Sequence, residues 1–294
     1  MTTTTTIKKK TVSLVLGSGG ARGMAHIGVI RWLLAHDYEI KSISGSSVGA
    51  LVGGMYAAGK LDEFEAWAAG ITTLYKLKLF YVNWNNDARG DRIMNVLIDL
   101  FGDYQIEDLP ITYTAVASDI RNEKEIWINR GSLFQALRAS MAMPLFFTPV
   151  VRKGVDLIDG GVLNPVPIAP TFSDHTDLTI AVNLGGAIHH QQHKSAEKTH
   201  NASLIPVNLE AITKRFSPSK KDQQEKGIDW KIYNIAELAI DAMQSTIARQ
   251  KLAAYPADYV IEISRDACRT LEFERSAEMI KLGYRMAEHC LRNV

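Results

Sequence analysis

Twice within the first sixty residues, a short apolar run ends at a glycine-bearing turn and gives way to a helical pattern. "TVSLVL" (11–16) is a β-branched apolar run of strand length that stops at glycines, as a strand covered on both faces does. In "ARGMAHIGVIRWLLAHDY", Met24, Ile27, Ile30, Leu33 and Leu34 recur at helical spacing. "IKSISG" reads as a second strand, and "VGALVGGMYAAG" as a helix of small residues able to pack closely on a sheet. Strand, glycine loop, helix, strand, turn and helix make a βαβ unit, with parallel strands and a right-handed crossover. The expected fold class is α/β, a central, mostly parallel sheet with helices on both faces.

The rest of the chain fits that frame. Helices are expected near 61–69 and 91–101, paired strands at "ITYTAVASDI" and "EIWINR", and a helix in "LFQALRASMA" stopped by Pro144. "VDLIDGG", "DLTIAVNL" and "ADYVIEI" read as further strands, before a closing helix near 274–292. With 294 residues, 46% of them hydrophobic, one large core is possible. A single domain over 11–294 is expected after a flexible tail at 1–10. Residues 185–229, rich in His, Gln, Lys, Ser and Pro, lack sustained apolar periodicity beyond "LIPVNLEAITKRF" and are expected to form a mobile excursion.

Charge and cysteine usage narrow the function classes. Thirty-three basic against thirty-two acidic residues leave a formal net charge of +1, so no electrostatic footprint for nucleic acid is present. Cys268 and Cys290 have no metal-ligand spacing and fit a reducing compartment. The apolar run at 12–16 is far too short for a signal-peptide core or a membrane span. A cytoplasmic protein that can touch a membrane surface without crossing it is the expectation.

Three glycine-bearing motifs carry the chemistry. Gly45-Ser46-Ser47-Val48-Gly49 is a G-x-S-x-G pattern between strand and helix, the arrangement that lifts a serine hydroxyl onto the tip of a strained turn. "GSGGARG" (17–23) lies between the first strand and first helix. Such a loop can cradle a phosphate, but a dinucleotide fingerprint counted from Gly17 meets Arg22 where its third glycine belongs. It also lacks the Gly-Lys-Ser/Thr ending of a P-loop. The better reading is an oxyanion hole built from N–H groups around Gly19 and Gly20, with Arg22 anchoring the loop or meeting an acidic headgroup. The third motif is Asp159-Gly160-Gly161 in "DLIDGGVLNPVPI". An acid before two glycines also makes an ordinary turn. This one ends an apolar strand, where open α/β sheets place their ligand crevice, and so is the best partner for Ser47.

No histidine completes a triad. His175, His189, His190, His193 and His200 lie in or near the polar excursion, His26 and His36 on the first helix, and His289 on the last. "HHQQH" has no carboxylate or cysteine pattern beside it and reads as solvated loop rather than metal site.

The glycine loop, the G-x-S-x-G turn and the D-G-G turn, in that order, resemble the patatin-like phospholipase family. "LGSGGARGMAHIGVIRWL", "GSSVGALVGGMYAAG", "RASMAMPLFFTPV" and "DGGVLNPVPI" are similar to its bacterial single-domain members. The resemblance implies a Ser/Asp acyl hydrolase, distantly α/β-hydrolase-like, with no metal or other cofactor. Ser47 would be the nucleophile and Asp159 the proton acceptor. Gly19 and Gly20 would supply oxyanion N–H groups, with help from Ala21 and Arg22. Ser18 departs from the glycine that several relatives carry. Met141, Met143, Leu145, Phe146 and Phe147 are either acyl-binding candidates or ordinary core packing, and "LYKLKLFYVNW" (74–84) reads either as a lid or interfacial patch or as an ordinary amphipathic surface segment. The expected substrate is a lipid or other acyl ester. Alternatives are a transacylase or thioesterase using the same pair, or a regulatory or scaffolding protein on the same fold.

Overall fold

The computed structural model describes residues 9–71, 89–144, 146–188 and 230–294. In chain order the elements are β1 (Thr11–Leu16), α1 (Ala25–Ala35), β2 (Glu39–Ser46), α2 (Val48–Ala57), α3 (Leu61–Ala69), α4 (Arg89–Phe101), β3 (Thr112–Asp119) and β4 (Lys124–Ile128). They continue with α5 (Leu133–Ser140), β5 (Val150–Arg152), β6 (Val155–Asp159), β7 (Leu178–Gly186), α6 (Trp230–Ala254), β8 (Tyr259–Ser264) and α7 (Ser276–Leu291). The chain divides into two compact units, Met1–Ile188 with Asp241–Val294, and His189–Ile240. Of the second, only 230–240, the opening turns of α6, are described.

The strands form one sheet in the order β5-β6-β3-β2-β1-β7-β8, with β4 paired to β3 off that path. β3, β2, β1, β7 and β8 run parallel, while β4, β5 and β6 are antiparallel to their neighbours. β1 is central, and its alternate residues serve two cores. Leu14 and Leu16, with Ile180 and Val182 of β7, join a cluster that includes Ile27 of α1, Val52 of α2 and Met279 of α7. Val15 and Ala181 face the other way, onto Val166, Ile168 and Ala248 of α6. Helices thus cover both faces, and each fully buried aliphatic side chain contributes about 2 kcal/mol.

The expected elements are present, with two additions, α6 and the short β5, that have no counterpart in the sequence reading. The reason for α6 is its inward stripe, which is polar or small: Ser245 and Ala248 are buried, whereas Met243 points outward. The first helix also begins differently from expectation, as a 3₁₀ turn over Gly20–Met24 that precedes α1. Gly185 and Gly186 of the expected excursion close β7. Residues 189–229, the tail residues 1–8 and the 74–84 patch lie outside the described residues.

The pairing of β3 brings the motifs together. β3 pairs with β2 over residues 112–116 and with β4 over 115–119. A strand has two edges, so β2 and β4 lie on opposite sides of β3. β6 pairs with residues 117–119, which β4 also occupies. β6 must therefore take the edge that β2 uses. Ser46 is opposite Val116 and Asp159 is opposite Ala117. β2 ends where β6 arrives from the other direction, and Ser47 meets Asp159 at the junction.

Candidate active site

Ser47 leaves β2 with φ 55° and ψ −124° and caps α2. A serine held at positive φ is strained, as a residue on a strand-to-helix elbow must be. The turn is tight enough to bring α2 onto the end of β1: a Cβ on Gly49 would stand 2.1 Å from the Leu16 carbonyl oxygen. Gly45, on the other side of the serine, is similarly close to the backbone of Gly49 and Ala50. Two further bonds hold the elbow. Ser46 Oγ donates to the Asn164 carbonyl at 2.7 Å, and the Ser47 N–H donates to Ser140 Oγ at 2.9 Å.

Asp159 is 1% exposed. Its Oδ2 accepts the Ser47 hydroxyl at 2.5 Å, and its Oδ1 accepts the Gly161 N–H at 2.7 Å. Gly160 and Gly161 open a 3₁₀ turn, so the second glycine's amide swings back onto the carboxylate. Burial pushes the Asp159 carboxyl up to about 6, against the lowering effect of the Ser47 hydroxyl and the Gly161 amide. A carboxylate with that affinity for protons is a competent base near neutral pH.

The glycine loop separates into engaged and free amides. Gly17 N–H donates to Val182 at 3.0 Å, Ser18 to Pro165 at 2.8 Å and Ala21 to Thr270 at 2.8 Å. Arg22 lies inside the 3₁₀ turn, whose i to i+3 bonding takes its amide. Among the described residues, neither the Gly19 nor the Gly20 N–H donates to a backbone carbonyl or side chain. Of the four sequence candidates, the Ala21 and Arg22 amides are engaged, and those of Gly19 and Gly20 have no protein partner among the described residues. The Arg22 side chain is buried and turned to the Arg265 carbonyl at 2.5 Å and to Asp241 of α6. Between its two readings, loop anchor or headgroup contact, the geometry selects the anchor. His26 braces the same loop, its Nε2–H donating to the Gly17 carbonyl at 2.8 Å, and burial lowers it to about 4. It is a neutral strut, and the hydroxyl of Ser47 goes to Asp159.

An apolar cleft of about 800 Å³, its open mouth included, ends on Ser47 and Gly20. Val48 and Leu51 of α2, Phe64 and Trp67 of α3, and Ile93 and Leu97 of α4 form walls. Met141, Met143, Phe146 and Phe147 line it from the chain after α5; Leu145 lies outside the described residues. Thr270, Leu271 and Phe273 complete it, a contribution that no motif in the sequence marks. Among the described residues, no three His, Cys, Asp or Glu side chains converge as a metal site, and no helix is long and apolar enough to cross a membrane.

Residues 14–172 match the family model described as patatin-like phospholipase. An uncharacterized NTE family protein of Mycobacterium tuberculosis is 37% identical, over 95% of this chain and 91% of its own. The chain belongs to the patatin-like phospholipase family. Membership makes it a carboxylic ester hydrolase. Two longer patatin-like phospholipase relatives match over a fifth of their own lengths. The lysophospholipase NTE1 of Kluyveromyces lactis is 26% identical over 98% of this chain and 20% of its own. The patatin-like phospholipase domain-containing protein 7 of Mus musculus is 28% identical over 93% and 20%. The fold is also that of VipD from Legionella pneumophila, with a TM-score of 0.56 and 16% identity over 96% of this chain and 66% of that one.

Proposed function

We propose that this patatin-like phospholipase is a serine acyl hydrolase acting on lipid esters, of the phospholipase A or esterase type, with Ser47 as nucleophile and Asp159 as proton acceptor. The observation that carries the reading is the 2.5 Å bond between Ser47 Oγ and Asp159 Oδ2 at the end of an apolar cleft. The acyl chain lies in the cleft, with its carbonyl carbon at Ser47. Ser47 Oγ attacks as its proton passes to Asp159 Oδ2. The carbonyl oxygen becomes an oxyanion, held by the Gly19 and Gly20 amides and favoured by the positive end of α2. The tetrahedral intermediate expels the alcohol, which takes the proton from Asp159 and leaves an acyl-enzyme. Water then gives a proton to Asp159 as it attacks the acyl carbonyl carbon, and the second tetrahedral intermediate collapses: its bond to Ser47 Oγ breaks, Asp159 returns the proton to Oγ, and the fatty acid is released.

The reading includes peripheral contact with lipid surfaces, where glycerolipid esters are presented. Its test is hydrolysis of a chain-length series of p-nitrophenyl esters by wild type, Ser47→Ala and Asp159→Asn, each shown folded by circular dichroism. Activity should vanish in both variants, together with fluorophosphonate labelling in Ser47→Ala. A wild type inert on every ester, or a Ser47→Ala variant that keeps its activity, refutes the reading.

A further inference from the structure

The backbone N–H of Ser47 is bonded to a buried serine. Ser140, the last residue of α5, is 0% exposed. Its hydroxyl donates to the Val116 carbonyl of β3 at 2.6 Å. With the proton committed there, the Ser140 oxygen has only acceptor capacity left, and it accepts the Ser47 N–H at 2.9 Å. Two residues on, the Ala142 carbonyl accepts the Asp159 N–H at 3.0 Å. One short stretch of chain therefore grips the backbone of both members of the pair, at the strand junction where they meet. Ser47 sits at φ 55°, a conformation that persists only where its surroundings enforce it.

Resting on the dyad reading above, the geometry points to Ser140 as a positioning residue: its hydroxyl holds Ser47 in the strained conformation that keeps Oγ on Asp159. The residue touches neither substrate nor the transferring proton. Its removal frees the Ser47 amide and the Val116 carbonyl, and the elbow relaxes away from the carboxylate. Displacement of a reacting group by about 1 Å costs on the order of a hundredfold in rate.

The experiment compares wild type, Ser140→Cys and Ser140→Ala on one p-nitrophenyl ester, with active sites counted by fluorophosphonate titration. The Cys variant keeps a weaker acceptor and covers the case in which Ala fails to fold. The expected result is a graded loss of kcat per titrated site, Ser above Cys above Ala, reaching about tenfold or more. KM stays within about twofold, because the cleft that binds the acyl chain is untouched. The acid limb of the pH profile moves upward, because Asp159 loses a bond that favours its charged form. A purely structural serine would instead lower the number of titratable sites and leave kcat per site and the limb unchanged; that outcome overturns the assignment. It does so alone if Ser47→Ala and Asp159→Asn are inactive in the same assay. A wild type inert on every ester overturns this assignment and the dyad together.

Discussion

Replacing Asp159 with Asn should abolish activity and shift relative stability in the variant's favour as pH rises toward neutral, and the size of the shift follows from the burial of the carboxyl. The carboxyl is raised from its ordinary 3.8 to about 6 because it is buried. The native state therefore holds a proton that the unfolded chain releases between those two values, and wild-type stability falls as pH rises through that window. About two pKa units correspond to about 3 kcal/mol across the full titration. Asn cannot ionise and escapes the loss. Any fixed difference in packing or hydrogen bonding between Asp and Asn is independent of pH, so it cancels when the gap between the two proteins is followed with pH. Between about pH 4.5 and pH 8, that gap should move in favour of the Asp159→Asn variant by about 2 kcal/mol, or about 3 °C in Tm for a chain of this length. Thermal melts followed by circular dichroism at half-unit intervals measure it. Stability curves that run parallel across this range would refute the argument, since Asp159 would then not be a carboxylate made basic by burial.

Three further outcomes follow from the site. Ester hydrolysis followed in a pH-stat should rise with pH along a limb at about 6, as Asp159 ionises and becomes able to accept the Ser47 proton. Gly49→Ala should cost at least about 3 kcal/mol in chemical denaturation, because its Cβ would stand 2.1 Å from a backbone oxygen that cannot move aside without shifting β1. Met143→Trp, which fills part of the cleft, should move the ester optimum toward shorter acyl chains and leave fluorophosphonate labelling of Ser47 in place.

The parts of this site that are legible in the sequence are those where sterics leave little choice of residue. The G-x-S-x-G turn needs glycines because α2 lies against the end of β1, and the D-G-G turn folds an amide back onto its own acid. Both constraints leave a written trace. The role of Ser140 leaves none, because a serine near the end of a helix is ordinary until Val116 and Ser47 are seen on either side of its hydroxyl. Nor does the loop sequence say which of its amides are spent: Ala21 is engaged by Thr270, from the far end of the chain. α6 escapes a search for periodicity because such a search seeks an apolar stripe, and its inward face carries Asp241, paired to Arg22, and Ser245, bonded to Gly185.

The shared edge of β3 has a consequence for how such a protein can diversify. Both halves of the proposed pair are registered on a single strand, Ser46 beside Val116 and Asp159 beside Ala117. Their separation does not depend on the length or path of the chain between α2 and β3. That intervening stretch is also the one that supplies Phe64, Trp67, Ile93 and Leu97 to the cleft. Substrate preference can therefore be rewritten there by insertion, deletion or exchange while the chemistry is inherited unchanged, and grafting this stretch from a relative is a rational route to a new acyl specificity.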